Sequence, residues 1–127
     1  MTFVTVDTPH APRPVGAYSQ GRRIGPFLQV CGQLAVRSVT GAPRADDDVA
    51  AQTRRVLEQV TAVLSEGGAT WGDVLMVRVH LATDDDFEAM DTAYRDVLRA
   101  PFPPRTTVTA GLAPGARVEI DVLAVVG

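Results

Sequence analysis

The sequence predicts an α+β domain in which two amphipathic helices pack on one face of a mixed β-sheet. Three observations predict it. Segments of strand-like and helix-like hydrophobic period follow one another in the order β-β-β-α-β-α-β-β. Each helical segment follows a strand and carries one apolar stripe, and two such helices suffice to cover one side of a sheet. The 127 residues, 46% hydrophobic and 21% charged, have the size and mix of one soluble domain spanning 1–127.

Phe3 to Val6 alternates as a short edge strand. The following DTPHAPRPVGAYSQG, with three prolines and two glycines, reads as loop. Gly21 to Gly25 is a second short strand. Phe27 to Leu34 is a stronger one, with Leu28, Val30, Gly32 and Leu34 assigned to one face and Gln29, Cys31 and Gln33 to the other. Gly32, a glycine in mid-strand, marks a close approach by another backbone or a ligand. Residues 37 to 45, with Gly41 and Pro43, read as a turn.

Asp46, Asp47 and Asp48 open a long helix, where carboxylates cap free N–H groups and complement the helix dipole. Val49, Thr53, Val56, Leu57, Val60, Val63 and Leu64 form its stripe, and Gly67-Gly68 stops it. Val74 to Ala82 is the strongest strand, with Leu75, Val77, Val79 and Leu81 on one face and Arg78 and His80 on the other. Asp84 to Asp86 caps a second helix whose face is Phe87, Met90, Tyr94, Val97 and Leu98. Ala100-Pro101 ends it.

Phe102 to Val126 reads as a closing hairpin, two strands joined by a Gly/Pro turn. Each strand carries a charge where a buried strand has none: Arg105 at the start of the first, Glu119 midway along the second. On paired neighbouring strands the two would form a small polar site. The last strand also shows a face of Arg117, Glu119 and Asp121 followed by Leu123 and Val125. That face is too apolar for open water and too charged for a core. A subunit interface in a closed ring or dimer suits it.

Composition excludes several classes. The net charge of −3, the pI of about 5.2 and the scatter of the 12 basic residues argue against binding nucleic acid through a basic field. The lone cysteine, Cys31, permits no intrachain disulfide and suits a reducing compartment. The N-terminal stretch has no apolar run fit for a signal peptide or a membrane span, so a cytoplasmic protein is expected. The two His and one Cys follow no metal-ligand spacing, no phosphate-cradling glycine loop is present, and the acidic triplets are explained as helix caps, so no metal is expected.

Taken singly, the candidate residues keep two readings each. Arg105 reads first as a solvated arginine at a strand start, and second as a planar fork for a carboxylate. Glu119 is a surface glutamate or a group that orients or deprotonates a water. Tyr18, in GAYSQG, is a loop-packing aromatic or a phenol donor to a substrate. Cys31 is a small buried apolar residue unless a histidine activates it, and neither His10 nor His80 is placed by sequence to do so.

Five segments in register resemble the RidA family of small trimeric proteins, known for hydrolysing reactive enamines and imines. They are PVGAYSQG at 14–21, VCGQLAV at 30–36, QTRRVLEQVTAVLSEGGATWGDVLMVRVHL at 52–81, DFEAMDTAY at 86–94 and FPPRTTVTAGLAPGARVEID at 102–121. The resemblance implies a chorismate-mutase-like fold and a homotrimer with its active sites between subunits. It implies that Arg105 clamps the substrate carboxylate, Glu119 holds the attacking water, Tyr18 lines the same cleft, and the backbone at Gly32 lies against the substrate. Cys31 and Thr107 would line the pocket. No cofactor is implied.

The chain departs from the family pattern at Cys31 (usually Ser), Asp91 (commonly Asn), Thr107 (often Cys or a small residue) and Ala17 (usually Pro). These departures bear on substrate preference more than on reaction class. The implied function is hydrolytic deamination of 2-iminobutanoate- or 2-iminopropanoate-like intermediates to 2-oxo acids and ammonia. Two alternatives stand beside it: a non-catalytic module that binds small carboxylates, and the endoribonuclease activity of some relatives.

Overall fold

The computed structural model describes residues 2–35 and 47–127. Its strands are β1 (Val4–Val6), β2 (Gly21–Ile24), β3 (Phe27–Leu34), β4 (Val74–Leu81), β5 (Arg105–Thr109) and β6 (Val118–Val125), and its helices are α1 (Val49–Glu66) and α2 (Phe87–Val97). The six strands form one sheet in the order β1-β2-β3-β6-β4-β5. The β4–β5 pair is parallel and the others antiparallel, so the sheet is mixed. Among the described residues, no helix is long and apolar enough to cross a membrane.

Both helices lie on the same side. The α1 stripe is buried as expected, and it closes over Leu28 and Val30 of β3 and Val118, Ile120, Val122 and Ala124 of β6. Burial of this many Val, Leu and Ile side chains, each worth about 1.5–3 kcal/mol, is the main source of stability. Asp48 caps α1 by accepting from Ala51 N–H at 2.8 Å. At the other end Gly68 takes φ +82°, a conformation that favours glycine. The expected turn over 37–45 and the cap at Asp46 lie outside the described residues.

The expected closing hairpin does not exist. β5 pairs with β4, not with β6, and β4 lies between them. A strand that follows a helix returns parallel to the strand before that helix, which places β5 beside β4. β6 is the most apolar strand on the helix side, so it takes the centre. β5, with the sequence RTTVT and largely exposed, takes the edge.

Four smaller expectations also fail. The register of β3 against β6 shifts between Val30 and Gln33, so Gln33 and Ala35 turn inward while Leu34 joins the opposite face. Gln33 is tolerated inside because Gln59 of α1 donates to its Oε1 at 3.1 Å and to the Leu34 carbonyl at 2.7 Å. A second shift, between Val74 and Met76, leaves Leu75 exposed rather than beside Val77. In α2 only Met90, Ala93, Tyr94 and the following Leu98 are buried; Phe87 and Val97 are not. Asp86 caps nothing. Thr83 caps a short 3₁₀ turn over Asp84–Asp86, and Asp86 instead holds Arg117 with two bonds, at 2.8 and 3.1 Å.

Among the described residues, no helix lies on the far side of the sheet. That side presents Arg78 and His80 of β4, Glu119 and Asp121 of β6, and the apolar Leu34, Leu123 and Val108. Arg78 donates to Asp121 at 2.7 Å.

Candidate active site in two halves

Arg105 is the first residue of β5 and lies opposite Val77 in the parallel register. Val77 faces the helices, so Arg105 does too. Its guanidinium carbon sits 4.8 Å from the centre of the Tyr94 ring and 5.6 Å from that of Phe87. Nη1 donates to Asp91 Oδ1 at 2.8 Å. Only 20% of the Arg105 side chain is exposed, so the group is held in one place by an ion pair and two aromatic faces. Together with Asp91, Tyr94, Arg95, Phe102 and Pro103 it lines a pocket of about 250 Å³. Thr107 lies two residues on along the same face, with its hydroxyl buried and unpartnered; the Tyr94 hydroxyl is likewise buried without a partner.

Glu119 stands on the other face. It lies opposite His80 on one side and Leu34 on the other. Its side chain folds over Gly32, where a Cβ would come within 2.9 Å of the Glu119 carboxyl carbon. The close approach expected at Gly32 is therefore made by this carboxylate. Cys31, Gly32, Leu34 and Tyr18 border a shallow cleft of about 60 Å³ beside it.

The loop that carries Tyr18 is tied down by Gln20. Its Oε1 accepts from Thr8 N–H at 2.7 Å, and its Nε2 donates to the carbonyls of Thr8, Ala11 and Pro12. Tyr18 itself is half-exposed and accepts from Val15 N–H at 3.2 Å. Burial pushes the Cys31 thiol up, and the nearby Glu119 and Asp121 carboxylates add to that. A thiol so placed stays protonated at neutral pH.

Within one chain, then, the two charges do not meet. They point to opposite faces, two strands apart and three residues out of register, or roughly 14 Å between Cα atoms. Tyr18, Cys31, Gly32 and Glu119 form one half; Arg105 and Thr107 form the other. The sequence marked Asp91 as a departure bearing on substrate preference but did not place it beside Arg105, and it read Tyr94 only as part of the apolar face of α2. The spacing of Asp91 and Arg95, four apart on a helix, was a readable signal for a pair, and their bond is 2.8 Å. Arg95 first and Arg105 next hold the Asp91 carboxyl below the usual carboxylate range.

The seating of Glu119 gives a direct expectation. Gly32→Ala should displace the carboxylate by about an ångström and lower any Glu119-dependent turnover by about 10²-fold. Steady-state kinetics measure this, with the melting temperature as a control for folding. Unchanged turnover would show that the position of Glu119 is not critical.

Comparison with known proteins places these features in a family. Residues 8–126 match the family model described as endoribonuclease L-PSP. The chain is 35% identical over 125 residues to a RutC family protein of Pyrococcus abyssi, covering 98% of both chains. It is 34% identical over 125 residues to the 2-iminobutanoate/2-iminopropanoate deaminase of Salmonella typhimurium, covering 95% of this chain and 96% of that one. Its fold superposes on RidA from the Antarctic bacterium Psychrobacter with a TM-score of 0.90 at 30% identity, covering 97% and 99% of the two chains. The E. coli protein TdcF, solved with bound serine, gives 0.88 at 30% identity, covering 98% and 99%. A family match through nearly the whole chain, relatives above 30% identity and a shared sheet with two helices make this chain a member of the endoribonuclease L-PSP family, the family of RidA.

Proposed function

We propose that this protein hydrolyses 2-imino acids to 2-oxo acids and ammonia, in sites built between copies of the chain in a closed, chorismate-mutase-like ring of three. The observation that carries this reading is the division of the polar residues. A positioned guanidinium and a seated carboxylate lie on opposite faces of one sheet, and the carboxylate lies on a face that no helix among the described residues covers. A second copy laid against that face supplies the missing half. Relatives named as 2-iminobutanoate/2-iminopropanoate deaminases support the reaction class.

The chemistry follows from the groups available. Arg105 takes the substrate carboxylate with its unused donors. Glu119 of a neighbouring copy accepts a proton from a water and turns its lone pair toward the C=N carbon. The C–O bond forms as the nitrogen gains a proton. That proton is the one Glu119 took from the water, passed on to the nitrogen, which the Tyr18 hydroxyl steadies by a hydrogen bond while keeping its own proton. Loss of ammonia from the tetrahedral adduct, with the hydroxyl proton passing back through Glu119, leaves the 2-oxo acid. Imines already hydrolyse unaided, so positioning and one proton transfer suffice for useful acceleration.

A test follows from the shared site. Assayed with substrate well below KM, Arg105→Ala and Glu119→Gln chains should each turn over at only a small fraction of the wild-type rate alone. When co-refolded in equal amounts they should recover about a quarter of wild-type turnover, because in a three-fold ring about one interface in four joins the two intact halves. No recovery in mixed rings of confirmed composition would place both groups in one chain's site or remove one of them from the mechanism.

A second reading is a module that holds a small carboxylate without turnover. The bound serine in the TdcF structure favours it. It predicts thermal stabilisation by 2-oxo acids together with flat kinetics.

A further inference from the structure

Asp91 sits on α2 one turn before Arg95, and its two oxygens are divided between two arginines. Oδ1 accepts from Arg105 Nη1 and Oδ2 from Arg95 Nη2, both at 2.8 Å. Each arginine is therefore held by a single bond, not by a two-bond fork. The bond from Nη1 to Asp91 leaves the other donors of Arg105 on the side of Tyr94, whose phenol lies close enough to the guanidinium to interact with it. The buried Tyr94 hydroxyl lies in the same cluster, and the buried, unpartnered Thr107 hydroxyl lies two residues along β5 from Arg105. Arg95 is the outer member, with 66% of its side chain exposed, against 22% for Asp91 and 20% for Arg105. The three charges sum to one positive.

We infer that Asp91 is a built-in counter-carboxylate: it occupies one edge of Arg105, opposes the carboxylate of an incoming ligand on the other edge, and so sets the affinity and selectivity of the site. This role rests on Arg105 being the carboxylate clamp proposed above. The physical argument is a competition. A ligand carboxylate on the free edge of Arg105 would lie roughly 7 Å from the Asp91 carboxylate, across one shared guanidinium. Two like charges at that separation, in the intermediate dielectric of a half-buried site, weaken binding by about tenfold. Arg95 acts as a tether. It keeps Asp91 charged and turned partly away, so Arg105 is restrained without being neutralised. An amide at position 91 would keep the oxygen that accepts from Arg105 and lose the charge.

The test uses a stable carboxylate, 2-oxobutanoate, titrated calorimetrically into the wild type, Asp91→Asn, Arg95→Gln and Arg105→Ala. KM and kcat are measured beside it, with 2-iminobutanoate generated in situ. Asp91→Asn should bind about tenfold more tightly and lower KM to match, without raising kcat. Arg95→Gln should shift both in the opposite direction, because Asp91 then falls wholly to Arg105. A purely structural Asp91 predicts weaker binding in both variants. Equal or weaker binding by Asp91→Asn overturns the inference. Should that variant fail to fold, Asp91→Ser, which also removes the charge, takes its place: affinity equal to or below wild type overturns the inference. If Arg105→Ala binds like wild type, the clamp and the inference fall together. If the binding pattern holds while no protein turns over the imine, the counter-carboxylate stands and the deaminase reading falls.

Discussion

Glu119→Gln should lower kcat for 2-imino acid hydrolysis by about 10²–10⁴-fold, the usual worth of a positioned general base. The amide keeps the shape of the side chain, and the seat on Gly32 is open to either group, so the fold and the cleft should be preserved. What disappears is the proton acceptor. The water beside it would still be held by a hydrogen bond but would attack as neutral water. KM should change little, because the ligand carboxylate is held by the other half of the site. Single-turnover kinetics with 2-iminobutanoate generated in situ measure the chemical step directly. A variant within threefold of wild type would remove Glu119 from proton transfer.

Arg105→Ala should lower kcat/KM by roughly 10- to 150-fold, corresponding to about 1.5–3 kcal/mol for a hydrogen bond to a charged group. The loss should fall mainly on KM, since the clamp acts on ground state and transition state alike. The guanidinium is already pinned by Asp91 and by the faces of Tyr94 and Phe87, so little ordering remains to be done when a ligand arrives. Asp91 keeps its bond to Arg95 in the variant, which limits any damage to the fold. Arg105→Lys separates charge from geometry: a point charge should restore part of the affinity but not the two-bond hold. The steady-state KM for 2-iminopropanoate, with 2-oxo acid binding as a check, measures both variants. Full activity in Arg105→Ala would remove the carboxylate clamp and with it the reason for expecting 2-imino acids.

The halves of the site differ in how readable they were. Gly32 was marked by its position in mid-strand, and the structure supplies the group that needs the space, the Glu119 side chain. The α1 stripe was legible because its residues recur at helical spacing and all face the core. The bare face of the sheet was legible in β6, where charge and apolar residues share one side. The Asp91–Arg95 pair was written in a four-residue spacing. The link from Asp91 to Arg105 was not, because it joins a helix to a strand fourteen positions away.

Periodicity in the chain thus specified the kind of each element and, outside Gln33–Ala35, Leu75, Phe87 and Val97, the side it buries, since both depend on neighbours within one or two turns. It did not specify which strands lie together. That depended on a competition among whole strands for the centre of the sheet, won by β6 on its buried valines and isoleucine, with β5 displaced to the edge by its threonines and its arginine. The shift in register at Val30–Gln33 was equally hidden, because an extra residue in a strand costs little locally and is chosen by the partner strand. Arg105 and Glu119 were visible as charges set in strands; that they stand back to back on one sheet, and not side by side, follows from strand order and register together.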